Sequence, residues 1–175
     1  MMDLQFKTPT LDDKARILTF RREFNAVFDA MHGANELNAF MDGGFVGWIN
    51  YINAPAGTQW FEYQKVADST YIALIDDVVV AIVHIRHTLN DALLQQGGHV
   101  GYSTHPAYQG RGIATRVLAF AVRTLNEMGV HKVLVTCQHD NLASARVIEK
   151  NGGILENILT KSNGVQVSRY WISER

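Results

Sequence analysis

The segment His99-Val100-Gly101-Tyr102-Ser103-Thr104-His105-Pro106-Ala107-Tyr108-Gln109-Gly110-Arg111-Gly112-Ile113-Ala114-Thr115 decides how this sequence is read. It opens on a strand pattern, residues 99–104, that runs into Pro106. Two glycines then force a turn, and an amphipathic helix follows over 112–128. Ala114, Val117, Leu118, Ala121, Val122, Leu125 and Met128 recur at the three-and-four spacing of one buried helix face. Gly129 ends that helix. A strand that turns sharply into a helix gathers free backbone N–H groups at one place. The helix dipole adds partial positive charge there. Such a place binds phosphate. Gly110 and Gly112 let the backbone approach an anion, and Arg111 adds a cation. The loop lacks the Gly-Lys-Ser/Thr of a Walker loop. Thr115 and Arg116 stand where a dinucleotide fingerprint places its third glycine.

Working outward, the spacing predicts a first strand over 4–8 and a helix from Thr10 to about Met31, opened by a hydroxyl and the acids Asp12 and Asp13. Gly33 and the Gly43-Gly44 pair break the next stretch, and a second helix is expected over 45–52. Residues 69–75 and 78–87 form two strands joined at Asp76-Asp77. A short helix over 89–95 ends at Gly97-Gly98. Beyond the long helix lie a strand over 132–137, a helix over 141–151 closed by Gly152-Gly153, and a hairpin of 154–160 with 165–172 around Ser162-Asn163-Gly164. The sum is an α/β (α+β) domain: a mixed, mostly antiparallel sheet of about seven strands with helices on both faces. No repeat or linker composition divides it, and residues 1–175 read as one domain.

Composition narrows the function. The chain has 175 residues, 47% hydrophobic and 19% charged, with a formal net charge of -1. That is a globular composition without the basic footprint of a nucleic-acid binder. No apolar run has the length of a membrane span, and the first ten residues lack a signal-peptide core. Cys137 is the single cysteine, so neither a disulfide framework nor a cysteine metal cluster is expected. These features point to the cytoplasm. Seven histidines occur, but His84 and His87 fall on opposite faces of one strand, and His105 and His139 are isolated, so no metal site is expected. Trp48, Trp60, Phe61 and Tyr63 either fill the core or line an acceptor pocket. Cys137 reads as a packing residue.

The order strand, Pro, Gln109-x-x-Gly112-x-Ala114, helix resembles the coenzyme loop of the GNAT superfamily of N-acetyltransferases. A second match follows about thirty residues on, in Asn141-Leu142-Ala143-Ser144 through Glu149-Lys150-Asn151-Gly152. The resemblance is good from 69 to 172, and the run Ile85-Arg86-His87 to His99 resembles a subgroup with no clear substrate. It implies a GNAT-like sheet whose central strand pair splays apart. It implies acetyl-CoA as acyl donor, with its pyrophosphate on Gln109, Gly110, Arg111, Gly112, Ile113, Ala114 and Thr115. The pantetheine arm would lie along the backbone of Tyr102, Ser103 and Thr104, with Asn141 and Ser144 on its other side. Asn141 serves equally well as a helix cap. The acceptor would be an amine of a small molecule or protein attacking the thioester directly, and relatives often form homodimers.

Many relatives carry a glutamate base where this sequence has His99, and imidazole suits a base at neutral pH. A structural role for His99 is the other reading. Relatives often place a proton-donating tyrosine where this sequence has Ile148, which cannot donate. That departure motivates an alternative, a non-catalytic acyl-CoA sensor.

Overall fold

The computed structural model describes residues 3–34, 36–40 and 44–174. Gly43, half of the expected break, lies outside them. The elements run β1 (Gln5–Lys7), a 3-10 turn (Leu11–Asp13), α1 (Lys14–Asn25), α2 (Phe45–Asn53), β2 (Gln59–Trp60), β3 (Tyr63–Gln64), β4 (Asp68–Ile75), β5 (Val78–Arg86), α3 (Asp91–Gln95), β6 (Val100–Thr104), a second 3-10 turn (Pro106–Tyr108), α4 (Ile113–Glu127), β7 (Lys132–Gln138), α5 (Leu142–Lys150), β8 (Ile154–Thr160) and β9 (Gln166–Ser173).

The seven strands expected fall into two sheets that part at the expected splayed pair. Strands β1-β4-β5-β6 form one and β7-β9-β8 the other, all neighbours antiparallel, with β2-β3 a separate small hairpin. Asp76 and Asp77 both take positive φ, the geometry that lets a two-residue turn join twisted strands. Among the described residues one bridge joins the sheets, Gly98 with Val135, after which β6 and β7 part. The helix expected to reach Met31 stops at Asn25. Phe28 and Met31 still pack on the core, which is why their spacing reads as helix, but they do so from an irregular connection.

Strand alternation sorts the side chains into two cores. Ile72, Leu74 and Ile82 face Ile17, Phe20 and Phe24 of α1 and Trp48 and Tyr51 of α2. Ala73, Val83 and Ile85 face the opposite way, onto Val117, Leu118, Ala121 and Leu125 of α4, together with Val133 and Val135 of β7. Helix α4 therefore packs under both sheets and ties them together where their strands separate. Met128, expected on its buried face, is exposed beyond the last turn.

Two further devices shape the first sheet's upper face. The connection after α1 drops onto β6: Gly33 (φ +78) sits so close that a Cβ there would meet Gly101 O and Tyr102 Cα at 2.4 Å. The Ser103 hydroxyl donates to His32 O at the same place. Below it, the buried Lys65 ammonium donates to Tyr51 O (2.7 Å) and Ala54 O (3.1 Å) and pairs with Asp68 Oδ1 (3.0 Å). Asp68 Oδ2 takes His84 Nε2 at 3.0 Å. Burial pushes the His84 pKa down to about 4 against the opposing pull of Asp68, so His84 is neutral at pH 7 and donates from Nε2.

Gly33→Ala should destabilise the fold by roughly 2–4 kcal/mol in urea unfolding, because both the left-handed backbone and the contact with β6 are refused. A change within error removes the close approach as a constraint. His84 titrates near ~6.5 when unfolded and about 4 when folded. Its contribution is complete above the upper value and lost as pH falls toward the lower. The melting temperature of the wild type should therefore fall more steeply between these values than that of His84→Gln; equal slopes contradict the assignment.

Candidate active site

The site is built where β6 and β7 part. His99 holds the parting point: its N–H donates to Leu134 O (2.7 Å), and its ring Nδ1 accepts from the Leu134 N–H (2.9 Å). The ring is buried, and burial lowers its pKa. Accepting at Nδ1 puts the proton of the neutral ring on Nε2. His99 is thus a donor toward its surroundings, unlike the base with a free lone pair that the sequence suggests.

Past this point β6 has one bonded edge and one open edge. Arg86 N–H donates to His99 O and His105 N–H to Val80 O. By antiparallel alternation, Gly101 and Ser103 also spend their backbone groups on β5. Those of Val100, Tyr102 and Thr104 face the gap. Of the three β6 residues singled out from the sequence, Tyr102 and Thr104 line the gap. Ser103 is turned away, with its hydroxyl on His32 O.

The side chains of Tyr102 and Thr104 point to the α4 side. Tyr102 Oη lies 3.1 Å from Ser144 Oγ, across the gap on the first turn of α5. Burial raises the Tyr102 pKa to about 12, so the phenol keeps its proton at neutral pH. Cys137 lies beside Ser144, and burial raises its thiol pKa as well. Asn141 Oδ1 accepts from Ser144 N–H at 3.0 Å and so caps α5. Ile148 is fully buried behind this group. Thr104 Oγ1 is buried without a hydrogen-bond partner among the described residues.

The glycine turn closes the lower end. His105 ring Nδ1 accepts from Ala107 N–H (3.1 Å), while Nε2 meets Glu23 of α1 at 2.8 Å. Gln109 Nε2 donates to Thr104 O at 3.3 Å. This frame fixes where the turn begins. Gly112 caps α4 in the left-handed conformation, φ +77, with no atom within 4 Å of the position a Cβ would take. None of the N–H groups of Gly110, Arg111, Gly112, Ile113, Ala114 and Thr115 donates to another described residue. They gather at the positive end of a fifteen-residue helix. Arg111 is exposed beside them, its guanidinium carbon 5.3 Å from the Tyr108 ring centre.

A cleft of about 510 Å³ opens on the other face of the first sheet. Its floor is His84 and Arg86 of β5 with Asp68 of β4; its walls include Tyr51, Tyr63 and the connection carrying Glu36. Arg86 Nη1 donates to Gly98 O (3.1 Å), so the floor reaches the parting point. Of the aromatics the sequence offered as core or pocket lining, Tyr63 lines this cleft and Trp48 is core, while the charged floor of the cleft was passed over. Its residues come from five separate segments, and only the strand alternation of Asp68, His84 and Arg86 hints that they share a face.

The chain resembles known proteins in sequence and in fold. The chain is 30% identical over 97 residues to the probable N-acetyltransferase YjcK of Bacillus subtilis, a match covering 55% of this chain and 51% of that protein. The match thus spans about half the length of this relative. Among solved structures, an acetyltransferase of the GNAT family from Streptococcus pneumoniae superposes with a TM-score of 0.65 at 13% identity, covering 97% of this chain and 98% of that one. The microcin C7 self-immunity acetyltransferase MccE, solved with acetyl-CoA and AMP, gives 0.69 at 18% identity over 98% and 93%. At such identities these two likenesses speak for the fold. The family model of the acetyltransferase (GNAT) family matches residues 17–153, from α1 to the end of α5, and the chain belongs to that family.

Proposed function

We propose that this protein transfers an acetyl group from acetyl-CoA to an amine held in the 510 Å³ cleft. The observation that carries the reading is the set of unspent N–H groups from Gly110 to Thr115, facing out at the head of α4. Three features fit the coenzyme. The N–H cradle suits a pyrophosphate. The open edge of β6 offers Tyr102 and Thr104 backbone groups to the amides of the pantetheine arm, as an added strand would use them. Thr104 Oγ1 is a buried polar atom without a hydrogen-bond partner among the described residues. MccE, whose fold matches, was solved with acetyl-CoA.

The residues then divide the work. Gln109 through Thr115 bind the phosphates, and Asn141 and Ser144 flank the arm. The bound coenzyme supplies an activated thioester. The amine nitrogen forms a bond to its carbonyl carbon as the carbon–sulfur bond breaks; the amine loses a proton and the sulfur gains one. Tyr102, protonated and braced by Ser144, stands where a donor to the sulfur is needed, and this compensates for Ile148. We assign His99 as a positioning residue: it fixes the width of the gap and holds a donor at Nε2. The lone, buried Cys137 supports a reducing compartment such as the cytoplasm.

Calorimetric titration with acetyl-CoA tests the cradle. Gly112→Asp keeps a residue that tolerates the left-handed conformation and adds a negative charge in open space. It should weaken binding by about 100-fold or more beyond the loss in Gly112→Asn, which carries the same backbone strain without the charge, since like charges in close contact cost several kcal/mol. Unchanged affinity contradicts the reading. Coenzyme binding with no thiol release on any amine would favour a sensor. For His99, Asn retains an oxygen that can accept from Leu134 N–H and Ala does not. His99→Asn should keep most of the turnover and the shape of its pH profile, while His99→Ala loses about tenfold or more. Equal losses in both, with the acidic limb gone, would make His99 the base.

A further inference from the structure

The charged groups lining the cleft separate into spent and unspent. Lys65 uses its ammonium protons on Tyr51 O, Ala54 O and Asp68. Asp68 uses one oxygen on Lys65 and the other on His84. His84 is neutral, with Nε2 committed to Asp68. Arg86 differs. Its guanidinium makes one hydrogen bond, to Gly98 O, and no ion pair among the described residues. It is half-buried, and burial lowers its pKa. Its remaining N–H donors line the cleft and offer a fork to an anion.

Across from it, the carboxylate of Glu36 in the roof makes no hydrogen bond or ion pair among the described residues, and its charge is felt at Arg86, Tyr51 and Tyr63. Asp29 stands at the exposed mouth. The fixed charges of the lining are thus three carboxylates against two cations. That balance disfavours a dianionic phosphate. It suits a zwitterion, whose single carboxylate takes the Arg86 fork and whose ammonium meets the acidic roof.

Position narrows the class further. Arg86 is bonded through its side chain to Gly98 O and through its N–H to His99 O, so it sits beside the start of the open β6 edge. A carboxylate resting on it keeps an amine two bonds away close to that edge. A long spacer between amine and carboxylate would carry the amine past it.

We infer that the cleft receives an α-amino acid, with the carboxylate on Arg86 and the amine turned toward β6. The inference rests on the acetyl-transfer reading for its product, an N-acetylamino acid, but the binding site is independent of the coenzyme. A peptide amino terminus has an amide where the free acid has its charge, and leaves Arg86 without an anion.

Saturation-transfer NMR on the wild-type chain, with and without coenzyme A, compares each of the common α-amino acids with its amide and its decarboxylated amine. At least one acid should bind about tenfold or more tightly than its amide, because a buried donor set loses its partner in the amide. The same preference should appear in kcat/KM from thiol release. Arg86→Gln should abolish the preference while acetyl-CoA affinity stays unchanged. Arg86→Lys, which keeps the charge without the fork, should retain part of it and shows that the cleft still folds. If no acid binds, or acid and amide bind alike, the inference is overturned, and equal binding marks a peptide-like acceptor. Failure of acetyl-CoA to bind removes the transfer reading alone.

Discussion

Two hydrogen bonds between His99 and Leu134 set the geometry on which the rest depends. A strand has two edges, and β6 spends one on β5. Its other edge meets β7 only at the first residues, and the His99 ring occupies the Leu134 N–H that would otherwise continue the ladder. The strands then diverge over a core that remains continuous, because α4 packs under both sheets. An open strand edge in the middle of a protein is costly unless something covers it. Here the exposed backbone groups are gathered at one wall of a gap whose lower end is lined by more unspent N–H groups. On the proposed reading, the unpaired groups of the free chain and the surface that recognises the coenzyme are the same atoms.

The two faces of the first sheet carry different chemistry for a simple reason of alternation. Odd and even positions of β5 and β6 cannot share a face. Tyr102 and Thr104 therefore belong with α4 and α5, while His84, Arg86 and Ser103 belong with the connection after α1. On the proposed reading, a coenzyme and an acceptor approaching from opposite sides meet only at the backbone of β6. That strand is thin enough for both to reach it, and its middle residue on the acceptor side is Gly101, without a side chain to separate them.

Much of this was legible in the residues alone. The long helix, the turn before it and the Asn141 helix carry strong local signals: a sustained apolar period, glycines at the ends, a capping side chain. The two hairpins were legible for the same reason, through Asp76-Asp77 and Asn163-Gly164. What escaped depends on contacts between distant segments. Residues 26–31 keep a helical spacing through Phe28 and Met31, yet the chain leaves the helix so that Gly33 can reach β6. The role of His99 turns on a backbone N–H thirty-five residues away, which no local pattern encodes. The cleft escaped because its charge accounting needs Lys65 and Asp68 to be recognised as mutually satisfied, and only the three-dimensional network shows which cation is left over.

The seat of Gly33 on Gly101 leaves no room for a side chain on the upper residue and little on the lower. It works as a rivet through an otherwise irregular stretch. Segments on either side of it can lengthen, shorten or change composition and so redraw the chamber they enclose. The point of attachment stays where it is, and so does the strand beneath it. The fold thereby separates two tasks: one backbone position holds the strand in place, and the residues around it give the enclosure its shape.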